Sequence, residues 1–457
     1  MTGPPQVDLL VKNAKIATAN GVIEGCIAVE GGVIVSICRE SAAPRADEVL
    51  DVGGRLVLPG VIDAHAHLHD EQFLHREDFS TGTLAAAAGG ITTVIEMPLT
   101  TPIDRPSVIR EKIGRGEALS HVDFSLHAGM MNEENLANIA EISRLGVRSF
   151  KVFTCKPYGV GDETILEIMD AACQNSALVN FHAENEGMIS FTEKRLRHYG
   201  RVDPLAHHEA RPGLAEEEAI TRVAFMAELL GARVHISHVS GAYGVDAVER
   251  AKRRGVHITA ETCPHYLHFT KLDSLRQGPY LKVNPPLRDR SDIARLWEGL
   301  AEGTIDMVTS EHAPGTREEK EVGWSDIWSA WGGLPSIETM LPLLLDHGVN
   351  GGLISLERLV RITSLNPAKA FGLYGVKGDL APGFHADFVV VDLKLERVVS
   401  SDHLHYKVGW CPYEGLRLRG WPVLTVLRGK VIYDGESITV RKGYGRFTPM
   451  APIKRGN

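Results

Sequence analysis

Residues 58–70, "LPGVIDAHAHLHD", are the most informative segment of the sequence for the fold. It passes from an apolar run through a Pro-Gly step to Asp63, and then places His65, His67 and His69 at every second position. Because successive side chains of a strand alternate between its two faces, His65 and His67 point the same way. Two neighbouring imidazoles at the end of a buried strand indicate a divalent metal site. The alternative, two solvated histidines on an edge strand, fits poorly with the apolar residues that precede them.

The composition is that of a globular enzyme and excludes several kinds of partner. Of the 457 residues, 44% are hydrophobic and 23% are charged, which is ordinary for such proteins. A formal net charge of −9 gives no electrostatic support for a nucleic-acid partner. No apolar run reaches the length of a membrane span, and "MTGPPQVDLLVKN" lacks the basic start and apolar core of a signal peptide. We therefore expect a cytoplasmic protein without a membrane partner, whose six scattered cysteines are reduced thiols.

The sequence pattern changes twice along the chain. Residues 1–58 consist of short alternating segments separated by Gly-Gly and Asn-Gly steps, and residues 376–442 repeat that style. Both regions predict antiparallel strands, which would meet as one small composite β-sandwich domain. Between them, in residues 59–375, short β-branched runs alternate with helical patterns. This alternation predicts an α/β fold, a (β/α)8 TIM barrel, and leaves residues 443–457 as a C-terminal tail.

The barrel explains where the unusual residues fall, because active sites of such barrels lie at the carboxyl ends of the strands. The candidates that each follow an apolar run are His65, His67, Lys151, His182, His238 and Glu311. Lys151 by itself would be interpreted as a lysine that extends from the sheet edge into solvent. A lysine buried beside these histidines would instead be neutral and could react with carbon dioxide. The resulting carbamate is an anionic ligand with two oxygens, able to bridge two metals.

The remaining candidates also have structural alternatives. His182 and His238, taken singly, would be hydrogen-bonded core residues, but beside His65 and His67 they favour a second metal. We expect His235 to be structural, and His265 to be either structural or a contact behind the ligands.

Glu311, in "MVTSEHAPGT", is the candidate carboxylate. It could bind metal and accept a proton from metal-bound water. As a loop carboxylate it would instead pair with Arg317 or Lys320. Its position after the apolar run "IDMVTS" favours the site.

Motifs along nearly the whole chain resemble those of the cyclic amidohydrolases of the amidohydrolase superfamily. These motifs are "VIDAHAHLHD", "AAAGGITTVIEMPL", "FHAENE", "HISHVS", "ETCPHYL" and "SEHAP". The chain is most similar to the hydantoinase and allantoinase (dihydropyrimidinase-like) family. "GPYLKVNPPLR" and "EVGWSDIWSAWGGLPSIETMLPLL" resemble the L-hydantoinase and allantoinase branch. The resemblance implies hydrolysis of a cyclic amide or ureide of the hydantoin or allantoin type by a homo-oligomer, a tetramer or a dimer.

The resemblance also implies a binuclear centre with named ligands. His65 and His67 would hold a buried metal with Glu311, carboxylated Lys151 (N6-carboxylysine) would bridge, and His182 and His238 would hold an exposed metal. The nucleophile on the ring carbonyl would be a hydroxide that bridges the metals. We expect zinc, with manganese, iron or cobalt as alternatives, and carbon dioxide as the source of the carbamate. Asn284 lies where relatives offer main-chain contacts to the substrate.

Three positions bear on how far the resemblance extends. Glu311 stands where the family has aspartate, and one extra methylene moves a carboxylate by about 1.5 Å. Catalytic geometry is sensitive at that scale, and we expect the strand end to compensate.

Lys156 stands where D-selective hydantoinases have tyrosine, with Tyr158 out of register, which argues against D-selectivity. His69 stands where dihydroorotases have the arginine that binds the substrate carboxylate, which argues against that activity.

Two other functions remain open. One is a dihydropyrimidinase or another cyclic-amide hydrolase, which a panel of substrates would identify. The other is a non-catalytic scaffold homologue, which would not need stoichiometric metal.

Overall fold

The computed structural model describes residues 6–453, so the first five residues of the predicted N-terminal segment and the last four of the tail lie outside it. The strands are β1 Gln6–Thr18, β2 Gly21–Glu30, β3 Val33–Cys38, β4 Arg45–Asp51, β5 Leu56–Pro59, β6 Val61–Ala66, β7 Ile91–Glu96, β8 Asp123–Leu126, β9 Ala128–Gly129, β10 Ser149–Phe153, β11 Leu178–His182, β12 Val234–Ile236, β13 Ile258–Thr262, β14 Met307–Val308, β15 Phe388–Val398, β16 Arg417–Leu427 and β17 Lys430–Tyr433.

The helices lie mainly between the strands from β6 to β14 and after them. They are α1 Phe79–Ala88, α2 Pro106–Leu119, α3 Ile139–Arg144, α4 Asp162–Gln174, α5 Glu186–His198, α6 Pro204–Ala210, α7 Gly213–Leu230, α8 Ala242–Arg253, α9 Pro264–His268, α10 Ser274–Gln277, α11 Arg290–Glu302, α12 Arg317–Glu321, α13 Met340–Leu343, α14 Leu356–Val360 and α15 Asn366–Ala370. Within residues 6–453 there is no helix with the length and hydrophobicity that a membrane span requires.

Strands β6 to β14 form the predicted barrel. They pair in parallel, with β8 and β9 as two halves of one strand interrupted at His127. The ring closes where Ala66 pairs with His312 and the His67 amide donates to the His312 carbonyl at 2.8 Å. Every residue of β6, β7 and β11 is buried, as expected of parallel strands covered by helices. The (β/α)8 prediction is confirmed.

The two ends of the chain build one β domain, as predicted. Its eight strands form a single hydrogen-bonded sheet in which β1 pairs with β2, β4 and β5, and the C-terminal β15 pairs antiparallel with β5. Side chains from both ends share an apolar core, among them Val11, Ile16, Phe388 and Val426. The tail returns to the barrel, where the Thr448 amide donates to the carbonyl of Phe124 at the start of β8.

Hydrogen bonds join the first barrel strand to the residues that follow the last one, next to the candidate site. Asp63 in β6 accepts hydrogen bonds from the Ser310 amide (2.9 Å) and the Ser310 hydroxyl (2.5 Å), just after β14. Burial raises the pKa of Asp63 to about 6. The chain enters β6 at Gly60, where a Cβ would lie 2.1 Å from the Thr92 hydroxyl oxygen, so a side chain does not fit. These contacts fix the strand end from which His65 and His67 project.

Candidate metal centre

His65 and His67 lie side by side at the end of β6, with ring centroids 5.1 Å apart. The Nδ1 atom of His65 is 2.5 Å from a Glu261 carboxylate oxygen, and Nδ1 of His67 donates to the Met97 carbonyl at 3.0 Å. Burial, with the neighbouring cations, holds the pKa of His67 well below its usual range, so its ring is neutral. With both Nδ1 atoms bonded outward, the Nε2 atom of each ring is the one available to a metal.

His182 and His238 approach each other from the ends of neighbouring strands. The Nδ1 atom of His182 is 3.1 Å from the Nε2 atom of His238, while Nε2 of His182 is bonded to Glu184 at 2.8 Å. Burial lowers the pKa of both histidines. Two nitrogens bound tetrahedrally to one zinc, each at about 2.0–2.1 Å, are roughly 3.3 Å apart. The observed separation therefore fits a shared metal.

Lys151 in β10 is buried, with 2% of its surface exposed, so the alternative of a lysine reaching into solvent is wrong. Burial lowers the pKa of its amine to about 8, although the charges of Glu261 and Glu311 act to raise it. The amine donates to the Ser237 hydroxyl at 2.5 Å. Gly129 allows the lysine to sit there, since a Cβ at that position would lie 2.9 Å from the Lys151 Cβ. The result is a partly neutral amine beside the histidines.

Glu261 in β13 is a site residue that the sequence analysis missed. One carboxylate oxygen accepts from His65 Nδ1 and, at 3.3 Å, from the backbone amide of His238, and the other lies 3.0 Å from Nε2 of His235. Burial acts to raise the pKa of this carboxyl, but the charges and hydrogen bonds of the two histidine rings lower it. His235 is also bonded to the Thr259 hydroxyl at 2.8 Å, consistent with the structural role expected for it. Glu261 thus braces candidate ligands of both metals.

Glu184 and Arg211 hold His182 from the other side. Glu184 is fully buried and forms an ion pair with Arg211, which lowers the pKa of the carboxyl against the effect of burial. Arg211 also lies 3.8 Å from the Cys155 sulfur. Burial raises the pKa of the Cys155 thiol to about 12. Cys155 is therefore a protonated packing residue, and Glu184 is a second carboxylate missed in the sequence.

Glu311 lies at the end of the last barrel strand with a backbone φ of 46°, and His238 has a φ of 41°. Left-handed conformations of such residues are strained and cluster at functional sites. The Glu311 carboxylate lies 3.1 Å from Nε2 of His265. Arg317 donates instead to the Gly409 carbonyl, and Lys320 to three backbone carbonyls. The loop-carboxylate alternative is therefore wrong, while ligation of the buried metal by Glu311 stays a prediction.

Two buried lysines hold the backbone of residues 327–333, which passes close to Asn284, through hydrogen bonds to its carbonyls. Lys282 donates to the carbonyls of Ile327 (2.7 Å), Trp328 (3.1 Å) and Ala330 (2.6 Å). Lys320 donates to the carbonyls of Lys282, Trp331 and Gly333. Burial lowers the pKa of Lys282 to about 8 and that of Lys320 well below its usual range.

Asn284 itself has an unpartnered, buried Oδ1 atom. A Cβ at Gly332 would lie 3.0 Å from the Asn284 amide nitrogen, so the segment held by the two lysines passes close to it. The contact of Asn284 with substrate stays a prediction.

The positions that bear on specificity lie around this centre. Nε2 of His69 is bonded to Glu71 at 3.2 Å, and the ring stacks on Phe79. Burial lowers the pKa of His69, so the ring is neutral. Lys156 is exposed and pairs with Glu186. Tyr158 packs against Phe153, whose ring stacks in turn on His182.

Comparison with known proteins shows similarity over almost the whole chain. The sequence model of the Amidohydrolase family matches residues 56–432. An allantoinase of Rubrobacter xylanophilus is 36% identical over 450 residues, covering 96% of this chain and 97% of that protein. A dihydroorotase of Methanosarcina acetivorans is 36% identical over 453 residues, covering 96% and 95%. The solved L-hydantoinase (dihydropyrimidinase) of Arthrobacter aurescens has a TM-score of 0.94 and 35% identity, covering 96% of this chain and 99% of that one.

Proposed function

The chain belongs to the amidohydrolase family and is a metal-dependent cyclic amidohydrolase, and we propose that the ring it opens is a hydantoin- or allantoin-type ureide. The proposal rests chiefly on the 3.1 Å distance between Nδ1 of His182 and Nε2 of His238. These two rings lie beside His65, His67 and the buried Lys151. Such a set of imidazole nitrogens around one amine suits two divalent ions.

The residues divide between two metals. His65 and His67, together with Glu311, would hold the buried ion, His182 and His238 would hold the exposed one, and carboxylated Lys151 would lie between them. We propose zinc, with manganese, iron or cobalt as alternatives. Bound there, two divalent ions lower the pKa of water and polarise a carbonyl.

Lys151 is prepared for carboxylation by its surroundings. Only a neutral amine reacts with carbon dioxide, and burial brings the pKa of this amine to about 8. After carboxylation the nitrogen keeps one hydrogen, which can still be donated to the Ser237 hydroxyl. Ser237 is itself fixed by a 2.6 Å hydrogen bond to Asn180.

Glu311 would hold and move the proton of the reaction. Its carboxylate is 11% exposed and makes no ion pair with a lysine or arginine in residues 6–453, so it is free to accept a proton and pass it to the leaving ring nitrogen. The main chain at Asn284 would contact the ring, beside the unpartnered Oδ1 atom of that side chain.

The choice of ring rests on His69, because overall identity does not separate the candidates. An allantoinase and a dihydroorotase are equally similar to this chain. A carboxylate-bearing ring needs a cation at the His69 position, and the His69 ring is neutral and already bound to Glu71. An uncharged ureide does not need a cation at that position. The exposed Lys156 in place of tyrosine argues further against D-selectivity.

The surface around α5 favours assembly into a homo-oligomer, a tetramer or a dimer. Met188, Phe191, Tyr199 and Val202 are 39%, 68%, 69% and 44% exposed. These four side chains lie close together in the sequence, and exposed apolar patches commonly mark an interface between proteins. Light scattering should give a mass of two or four chains, and Phe191→Glu should lower it. A wild-type monomer would contradict this part of the proposal.

The test is ring opening by protein loaded with manganese or zinc in bicarbonate. The substrates are allantoin, 5-substituted hydantoins of both hands, dihydrouracil and dihydroorotate. We expect turnover of allantoin or an L-hydantoin. No turnover of any substrate at full metal occupancy would contradict the proposed substrate class, and a wild-type site that takes up no metal would favour a scaffold.

A further inference from the structure

Two of the six cysteines lie directly opposite each other in the β domain. Cys26 in β2 pairs with Cys38 in β3, next to the pair Ile27–Ile37 of the same antiparallel ladder. Cross-strand partners point to the same face of a sheet, and Cys38 packs against the small apolar cluster to which Cys26 belongs. The other four cysteines, all within residues 6–453, lie outside the strands. Only this pair is therefore aligned by strand register.

The backbone spacing at this pair suits a disulfide. Residues directly opposite each other in an antiparallel ladder have Cα atoms about 4.5 or 5.5 Å apart, and disulfides join Cα atoms about 4.4–6.8 Å apart. The Cβ atoms of such a pair, about 4.5–5.5 Å apart, must approach to about 3.5–4.5 Å. The two strands are already close here, since a Cβ at Gly25 would lie 2.6 Å from the Cys38 carbonyl oxygen. A shift of about 1 Å therefore brings the two thiols into bonding geometry.

The required shift falls where the sheet can move. Cys38 is the last residue of β3, and β3 is the last strand in the hydrogen-bonded order of the sheet. On its other side, β2 faces β1 across a register shift between Val11 and Ala14. Strand ends open more readily than the middle of a regular ladder. We therefore expect the pair to close by movement of the end of β3.

The two thiols differ in exposure. Cys26 is buried, and burial, together with the neighbouring Cys38 and Glu40, raises the pKa of its thiol. Cys38 is partly exposed, so a small reagent meets Cys38 first. A cleft of 340 Å³ adjoins the pair and is bordered by Cys26, Lys15, Arg39 and Glu40. A small disulfide can therefore approach the two thiols from the surface.

We propose that Cys26 and Cys38 form a reversible oxidation site, at which a low-molecular-weight disulfide such as oxidised glutathione converts the two thiols into a cross-strand disulfide. The Cys38 thiolate would attack one sulfur of the oxidant, forming a mixed disulfide and releasing one glutathione thiolate. The Cys26 thiol would then lose its proton to solvent and attack the Cys38 sulfur, which releases the second glutathione. The two cysteines lose two electrons and two protons, and the oxidant gains them.

The partner thiol keeps oxidation of Cys38 reversible. A thiol that is oxidised alone can proceed to sulfinic and sulfonic acids, whereas a neighbouring thiol diverts it into a disulfide. Disulfides that are exposed or held in strained geometry are readily reduced again, so reduced glutathione would restore both thiols. The site lies in the β domain, so the inference does not depend on the ring that the barrel opens.

The test treats the folded, reduced protein with oxidised glutathione, blocks the remaining thiols with iodoacetamide and maps the products by mass spectrometry. The tryptic peptide 16–39 contains both cysteines and no other. We expect this peptide to become lighter by two hydrogens than its fully reduced form. It should also stay joined after cleavage at Glu30, which lies between the two cysteines. Dithiothreitol should reverse both changes.

Variants separate the two steps of the reaction. Cys26→Ser should stop it at the mixed disulfide, so that glutathione stays on Cys38. Cys38→Ser should leave Cys26 as a thiol, because the residue that reacts first is gone. Cys173→Ser, at a partly exposed position of α4, is the control and should form the disulfide as the wild type does.

A comparison with unfolded protein tests whether the fold aligns the pair. The equilibrium constant for closing the disulfide against glutathione should be at least about tenfold higher in the folded protein than in urea, because strand register raises the effective concentration of one thiol at the other. Equal constants would overturn the proposal. So would a folded wild-type peptide that keeps two thiols or carries two glutathiones, a measurement that needs no variant to fold. Ring opening is not part of this test, so a failure of the proposed function is distinguishable from a failure of this inference.

Discussion

The Nδ1 atom of His182 lies 3.1 Å from the Nε2 atom of His238, between the ends of two neighbouring barrel strands. Because Glu184 is bonded to the other nitrogen of His182, the nitrogen that faces His238 carries the lone pair. Without metal, the pair can share one N–H donated by His238. With metal, both lone pairs can point at one ion, which makes this contact the most direct sign of the exposed metal site.

Removing one of these imidazoles should remove a metal. We expect His238→Asn to lower ring opening by more than about 100-fold, the upper value for residues that only support a ligand. Elemental analysis should show a loss of bound metal in the same variant. His198→Asn, at an exposed position of α5, is the control and should keep both metals. Full metal content in His238→Asn would contradict the ligand assignment.

Glu261 should be needed for metal affinity although it is not itself a ligand. It holds His65 through the ring nitrogen and His238 through the backbone amide. Glu261→Gln removes the charge at nearly constant shape, and metal affinity should fall about 10- to 100-fold, as measured by competition with a chelator. Glu338→Gln removes another buried carboxylate, bonded to His405, and should bind metal normally. Equal metal affinities in the two variants would show that Glu261 does not support metal binding.

Carboxylation of Lys151 should depend on pH in a defined direction. The amine reacts only when neutral, and its lowered pKa of about 8 means that the neutral fraction rises with pH through that value. At pH 7 about a tenth of the amine is neutral, against far less for an exposed lysine. The initial rate of carbamate formation in metal-free protein, followed by carbon-13 NMR at constant dissolved carbon dioxide, should therefore rise with a midpoint near that pKa.

Lys151→Met should show no carbamate signal in the same experiment. A wild-type midpoint near the value of an exposed lysine would mean that burial does not activate this residue.

Lys320 should contribute strongly to stability. Its side-chain nitrogen donates to three backbone carbonyls. Lys320→Met would leave the Trp331 and Gly333 carbonyls without a donor, while the Lys282 carbonyl keeps the Gly333 amide. We expect the free energy of unfolding to fall by roughly 2–4 kcal/mol, measured by denaturant titration. Lys369→Met, at an exposed lysine, should change it by less than about 0.5 kcal/mol. A similarly small effect at Lys320 would indicate that water replaces the amine.

The fold and the candidate ligands could be predicted because their signals are local. Each strand is a short apolar run, and each of the five nitrogen candidates follows or ends one, as His65 and His67 do in β6. The alternation of strands and helices then fixes a barrel, and a barrel brings strand ends together. Burial of Lys151 followed from the same reasoning once the barrel was assumed.

The supporting carboxylates could not be predicted because their partners are distant in sequence. Glu261 meets His65 across 196 positions, and no local pattern distinguishes it from another strand glutamate. The position of Glu311 beside His265 depends on how one extra methylene is accommodated at the end of β14, which only the packed barrel determines.

We propose that the chain hydrolyses a cyclic ureide only when the residues at the barrel mouth hold two metal ions, and a metal titration of activity is the decisive measurement. Metal-free protein in bicarbonate receives manganese stepwise, and opening of allantoin and of an L-5-substituted hydantoin is followed at each step. We expect no activity without metal, a rise that is complete at two equivalents per chain, and no rise in His182→Asn. Activity in the metal-free protein, or inactivity toward every cyclic amide at two bound equivalents, would contradict it.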